Sequence, residues 1–273
     1  MRRKKSAVMG KLKSGHEYRV VIDSGNCASA CVVTDTVVLE NQLEIYPLKD
    51  LGPMIGGLCH LCKLSIGEMT IVHPYTTYLT AHYEQSFLGM TTWVEKQILL
   101  GLPLMQTFSY VLIDNIAGEV EFAFDAENSF EPADVDNWNQ YKMEVENKSA
   151  GQVILMVDIP INGSLQHVRL DTGLGSALVM TEKLWEKFGA DVITVHEKES
   201  FLWTPQFGKL PSRQIIAKNF TIAENTIERL VIDVMRNENP LKEDEFTLGY
   251  GAFKETVFVL DFERNRLWVK KVP

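Results

Sequence analysis

The chain has 273 residues, 45% of them apolar and 23% charged, with a formal net charge of −9. That composition supports a buried core in one large or two small domains. Basic residues gather only at the N-terminus, so the basic face that a nucleic-acid binder needs is missing, and no run approaches the roughly 20 apolar residues of a bilayer span.

Residues 1–13 (MRRKKSAVMGKLK) read as a solvated basic tail. No apolar stretch follows them, so no secretory signal is expected, and the chain reads as soluble and fit for the cytoplasm. The first lobe is expected over 14–125. It opens with EYRVVID (17–23), where three β-branched residues run straight into Asp23, a costly place for a carboxylate unless chemistry requires it. Further β-type segments are KLSIGEMTIV (63–72) and YVLID with GEVEF (110–122). The acidic, Asn-rich stretch over 126–150, broken by Pro132, reads as a linker.

The second lobe is expected over 151–273. Its strands are QVILMVDIPI, QHVRLD, QIIAKNFTI, RLVIDV and VFVLDF with RLWVKKV, and hairpin turns fall at Asn162-Gly163, 115–118 and Arg264-Asn265. One helix, TEKLWEKFGA (181–190), opens on Thr181 and closes near Gly189. The expected fold class is all-β with few short helices. Three N-x-[ST] triplets begin at Asn147, Asn162 and Asn219, and they matter only in a glycosylating secretory route.

The chain repeats itself. VVIDSG (20–25) recurs as VRLDTG (168–173), and Asp23 and Asp171 lie 148 residues apart. ILLG (98–101) recurs as FTLG (246–249), its glycines again 148 apart. Asp114 recurs as Asp261, KLSIGEMTI (63–71) as NFTIAENTI (219–227), and Ser14-Gly15 as Asn162-Gly163. Anchors in the same order at nearly constant offset indicate two homologous lobes.

A duplicated unit of D-[ST]-G followed by apolar-apolar-Gly resembles the pepsin/retropepsin clan of aspartic proteases. The residues that carry the resemblance are Asp23-Ser24-Gly25 with Leu99-Leu100-Gly101, and Asp171-Thr172-Gly173 with Thr247-Leu248-Gly249. It covers the chain apart from the tail and linker. It implies a retropepsin-like architecture with a cleft between the lobes, and Asp23 and Asp171 as a catalytic dyad sharing one proton. It also implies that Ser24 and Thr172 crosslink the two loops, and that Gly25 and Gly173 let the backbone approach the carboxylates.

Flap candidates are Gly56 and Gly57 in the first lobe, and Trp203 and Phe207 in the second. Departures from the family pattern are Asn26 and Leu174, where a hydroxyl residue is usual, Thr247 in place of an apolar residue, and a first flap without tyrosine. The resemblance implies a monomeric endopeptidase that takes a peptide or protein substrate and requires no cofactor. The alternative is a catalytically inactive pseudoprotease that binds peptides.

Cys27, Cys31, Cys59 and Cys62 are the chain's four cysteines. Three readings stay open: reduced thiols packed as small hydrophobes, a disulfide, or a structural zinc held by all four. Six scattered histidines lack metal-site spacing, and no G-x-S-x-G or complete Gly-rich phosphate loop appears.

Overall fold

The computed structural model describes residues 7–48, 55–80, 84–87, 90–94, 97–124, 129–148, 152–189, 192–204, 208–236 and 246–272. The first repeat contains β1 (Ala7–Leu12), β2 (Glu17–Asp23), β3 (Cys31–Thr34), β4 (Ile45–Pro47), β5 (Ile55–His60), β6 (Lys63–Ile66), β7 (Met69–Val72) and β8 (Tyr75–Leu79). It continues with β9 (Glu84–Phe87), β10 (Met90–Val94), β11 (Gln97–Gly101), β12 (Tyr110–Asp114) and β13 (Glu119–Ala123). The remaining strands are β14 (Trp138–Asn147), β15 (Val153–Ile161), β16 (Ser164–Asp171), β17 (Leu178–Thr181), β18 (Ile193–Thr204) and β19 (Gly208–Lys218). They end with β20 (Phe220–Ile222), β21 (Asn225–Ile227), β22 (Leu230–Met235), β23 (Thr247–Gly249), β24 (Val257–Asp261) and β25 (Arg266–Lys270).

The protein is therefore mostly β. Among the described residues, the helices are short: α1 (Asp35–Asn41), α2 (Leu102–Met105), α3 (Glu182–Phe188) and brief 3₁₀ turns. The helix expected at Thr181 is α3, and the Thr181 hydroxyl caps it by accepting from the Leu184 N–H at 3.4 Å. Asn162 and Gly163 both take positive φ, as a two-residue hairpin turn of this twist requires.

Two large sheets result. One is nine-stranded, in the order β4-β5-β8-β3-β11-β2-β1-β6-β7; the other is fourteen-stranded, with β13-β12-β24-β25-β14-β15-β16-β23-β17-β22-β19-β18 as its main path. The repeat seen in the sequence is also a repeat of pairing. β11 runs parallel to β2 with Gly101 beside Asp23, and β23 runs parallel to β16 with Gly249 beside Asp171. The β6–β7 hairpin joins β1, and its counterpart β20–β21 joins β15.

Three boundaries differ from the sequence expectation. Residues 7–12 of the supposed tail form β1, with Gly10 and Leu12 buried between exposed Met9, Lys11 and Lys13. The lysines had disguised an inward-outward alternation. In the supposed linker, 138–147 forms β14, paired with β15 and β25. There Tyr141 and Met143 point inward between exposed Lys142 and less buried Glu144, a strand period hidden by acidic composition. Finally, β12 and β13, assigned to the first lobe, lie in the fourteen-stranded sheet through the β12–β24 ladder.

The core forms where the inward residues of these strands meet. Val20, Val21 and Ile22 of β2 are fully buried, as are Leu100 and Leu248 beneath the two Asp-containing turns. Leu248→Ala should lower unfolding free energy by about 2–5 kcal/mol in urea titration. A loss under about 1 kcal/mol would mean that the site collapses around the gap and that Leu248 does not support the turn.

Candidate functional site

Asp23 and Asp171 close β2 and β16, both half-buried, each at the point where its strand enters a tight turn. The turns are matched. The Asn26 N–H donates to the Asp23 carbonyl, and the Leu174 N–H to the Asp171 carbonyl, both at 3.1 Å. Leu102 N–H donates to the Asn26 carbonyl and Tyr250 N–H to the Leu174 carbonyl, both at 2.9 Å.

The companion glycines have a steric reason. Gly101 and Gly249 donate their N–H groups to the Ala30 and Ala177 carbonyls at 2.8 and 2.9 Å. A Cβ on Gly101 would overlap the Ser29 carbonyl oxygen, and one on Gly249 the Ser176 carbonyl oxygen. Only glycine lets each turn close onto its supporting strand.

The turns also hold each other. The Ser24 N–H donates to the Thr172 Oγ1 at 3.0 Å, and the Thr172 N–H donates to the Ser24 Oγ at 2.9 Å. Each hydroxyl then donates onward: Ser24 to the Leu170 carbonyl at 2.8 Å and Thr172 to the Ile22 carbonyl at 2.9 Å. Both side chains are fully buried, and every donor in this ring is satisfied. Four bonds thereby join strands that belong to different repeats.

This crosslink sets each carboxylate against the glycine of the other turn. A Cβ on Gly25 would collide with the Asp171 carboxylate, and one on Gly173 would collide with that of Asp23. The Gly25 and Asn26 N–H groups donate to Asp23 Oδ1 at 3.1 and 3.2 Å, and the Gly173 N–H donates to Asp171 Oδ1 at 2.9 Å. Asp23, Ser24, Gly25, Asp171, Thr172 and Gly173 therefore form one constellation.

Residues not singled out from sequence complete it. Arg169 donates from Nη2 to the Gly25 carbonyl at 3.0 Å, tying the second repeat to the first turn. Behind the first turn, Ser29 Oγ pairs with Thr77 Oγ1 at 3.0 Å; behind the second, Ser176 Oγ donates to Asp233, which also accepts from Gln214 at 3.1 Å. Thr77 and Asp233 occupy equivalent places, next to Val32 on β3 and Val179 on β17. The signal for Asp233 was in the sequence: a lone carboxylate inside the apolar run RLVIDV, and fully buried in the structure. Asp114 and Asp261 are turn residues, accepting from Ile116 and Ala117 at 2.8 and 2.7 Å and from Arg264 at 2.9 Å.

The flap candidates are less uniform. Gly56 and Gly57 lie in β5 at a bulge opposite β8. A side chain on Gly56 would strike the Tyr78 ring, and Gly57, at φ +140, abuts the backbone of Tyr46 and Pro47. Packing accounts for both. Trp203 lies in β18 opposite Lys209, and Phe207 falls outside the described residues.

All four cysteines are free, and no group of three or more metal-ligating side chains occurs among the described residues. Cys31 and Cys59 flank Thr76 from opposite sides. Two strand spacings, roughly 9–10 Å between Cα atoms, exceed the roughly 7 Å that a disulfide tolerates. Burial pushes both thiols up to about 12. Burial also raises Cys27, with the nearby Arg169 guanidinium opposing it.

No family model and no curated protein matches this chain. Among solved structures, it is similar to basic 7S globulin from soybean, at 12% identity and a TM-score of 0.45, over 96% of this chain and 90% of that one.

Two measurements check this description. Thr172→Val and Ser24→Ala should each cost about 1–3 kcal/mol by stranding buried donors, and their double-mutant cycle should show coupling of at least about 0.5 kcal/mol. Strict additivity would break the crosslink argument. Ellman's reagent should leave Cys31 and Cys59 unlabelled until denaturant is added; fast reaction of both in the folded protein would contradict their burial.

Proposed function

We propose that this protein is an aspartic endopeptidase of the pepsin/retropepsin type, with two homologous all-β lobes that each contribute one carboxylate. The observation that carries this reading is the reciprocal Ser24–Thr172 crosslink, which holds Asp23 and Asp171 against each other's glycine turns. A structural aspartate at a strand end needs no partner from a distant repeat. A dyad does.

In the dyad that the family resemblance implies, the two carboxylates hold one proton between them. The ionised member takes a proton from a bound water, and the protonated member donates to the carbonyl oxygen of a peptide bond as the water oxygen attacks. The tetrahedral intermediate then collapses: the C–N bond breaks, and the amine leaves with a proton returned through the pair. No covalent enzyme intermediate forms. Backbone N–H groups of Gly25, Asn26 and Gly173 fix the carboxylate orientations in which this exchange works.

A second reading has its own support. Asn26 turns its amide back to the Ser29 carbonyl at 3.1 Å, and Leu174 packs into an apolar cluster, so neither brings a hydroxyl to the carboxylates. A peptide-binding pseudoprotease would have this form.

Cleavage of an unbiased peptide library between roughly pH 3 and 8, a span that covers dyad titration, separates the two. Wild type should cleave, while Asp23→Asn and Asp171→Asn should lose activity by about 10³-fold or more, in line with removing a group that acts as a unit. Silence from folded wild type across the whole span, with peptide binding retained in Asp171→Asn, would establish the binding module instead.

A further inference from the structure

The β18–β19 hairpin has an uneven relationship with the rest of the protein. From Ile193 to Glu199, β18 is exposed, and Phe201 beyond them is exposed as well, with the Lys209 ammonium 3.5 Å from its ring centroid on the outer surface. Among the described side chains of this strand, Leu202 alone is buried. It lies close to the tip rather than the base, where a hairpin normally joins its sheet.

Leu202 is seated in a small cluster with Val179 and Met235, separate from the main core. The fourth member is Leu174, the residue that follows Asp171-Thr172-Gly173. β19 is held by its ladder with β22 and buries Leu210 opposite Leu202, so Leu202 is the side chain by which the outer strand β18 reaches the turn that carries the second carboxylate.

The seat has a flaw. Ser212, on β19 and in register with Met235, is fully buried, and its hydroxyl has no hydrogen-bond partner among the described residues. An unpartnered buried hydroxyl disfavours the closed arrangement and gains a partner whenever water or a ligand enters. The apolar contact closes the hairpin, and the hydroxyl works against it.

We infer that Leu202 is a latch that occupies an apolar subsite beside Asp171, walled by Leu174, Val179 and Met235, and that a substrate with a leucine-sized apolar side chain takes this subsite by displacing it. The substrate part rests on the endopeptidase reading; the latch does not. Apolar walls select an aliphatic side chain, and the freed Ser212 hydroxyl offers one hydrogen bond to the incoming chain. Leucine at position 174 then acquires a purpose that a hydroxyl residue there would not serve.

Hydrogen exchange over 200–204 and 208–212 tests the latch without reference to catalysis. Leu202→Ala should speed exchange in those segments about tenfold or more, Leu202→Met should restore most protection, and Ser212→Ala should slow exchange several-fold. Equal exchange in wild type and Leu202→Ala would overturn the latch, and unchanged exchange in Ser212→Ala would overturn the part given to the hydroxyl.

Cleavage of matched peptides tests the subsite. Removing the latch raises the fraction of protein with an open subsite and so improves apparent affinity. Leu202→Ala should therefore raise kcat/KM several-fold for peptides bearing leucine, relative to alanine, at one position beside the scissile bond. Faster exchange with an unchanged leucine-to-alanine ratio would refute displacement by substrate while leaving the latch. Absence of cleavage in every variant would overturn the endopeptidase reading and the subsite with it, and the exchange data would still decide the latch.

Discussion

The crosslink between Ser24 and Thr172 is the constraint on which the rest of the site depends. Each residue supplies a backbone donor and a side-chain acceptor to the other, and each hydroxyl is then used up on a carbonyl of the opposite strand. The geometry leaves neither group a cheap alternative, because both are sealed from water and an unmade bond would be lost outright. Asp23 and Asp171 inherit their positions from this ring. The adjoining glycines are required by the same closeness, since a methyl group on either would occupy the place of the other repeat's carboxylate.

Around that symmetric centre, the two halves differ. The turn after Asp23 is held from behind by neutral hydroxyls, Ser29 and Thr77; the turn after Asp171 is held by a buried carboxylate, Asp233, with two donors aimed at it. Asn26 is spent on its own turn, while Leu174 faces an apolar cluster under a long hairpin. Backbone geometry is preserved where the carboxylates need it, and side-chain chemistry varies one layer out. The two carboxylates therefore meet different surroundings although their own hydrogen bonds nearly match.

Much of this was legible in the sequence because repetition turns weak motifs into a strong one. Asp23, Asp171 and their four small neighbours were all identifiable, as were Gly101 and Gly249, and the mostly β character followed from strand-like segments. What was missed has physical causes. Lysines at 11 and 13 made β1 look like a tail, and acidic residues made β14 look like a linker, though both alternate inward and outward. The cysteine spacing left three readings open because it records separation along the chain; the sheet separates Cys31 from Cys59 by an intervening strand. Arg169 had no counterpart to mark it, since the equivalent position in the first repeat is Val21.

The β12–β24 ladder has a consequence for how the molecule holds together as a whole. Leu112 lies opposite Val259, and the pairs run outward symmetrically from there, Tyr110 to Asp261 and Asp114 to Val257. These are equivalent strands of the two repeats, meeting antiparallel about their own midpoint. Neither half therefore owns a complete sheet edge: withdrawing either one strips a full row of backbone partners from the other. The halves are joined through this ladder as well as in sequence, so a change that displaces β12 also strips β24 of its backbone partners on that side.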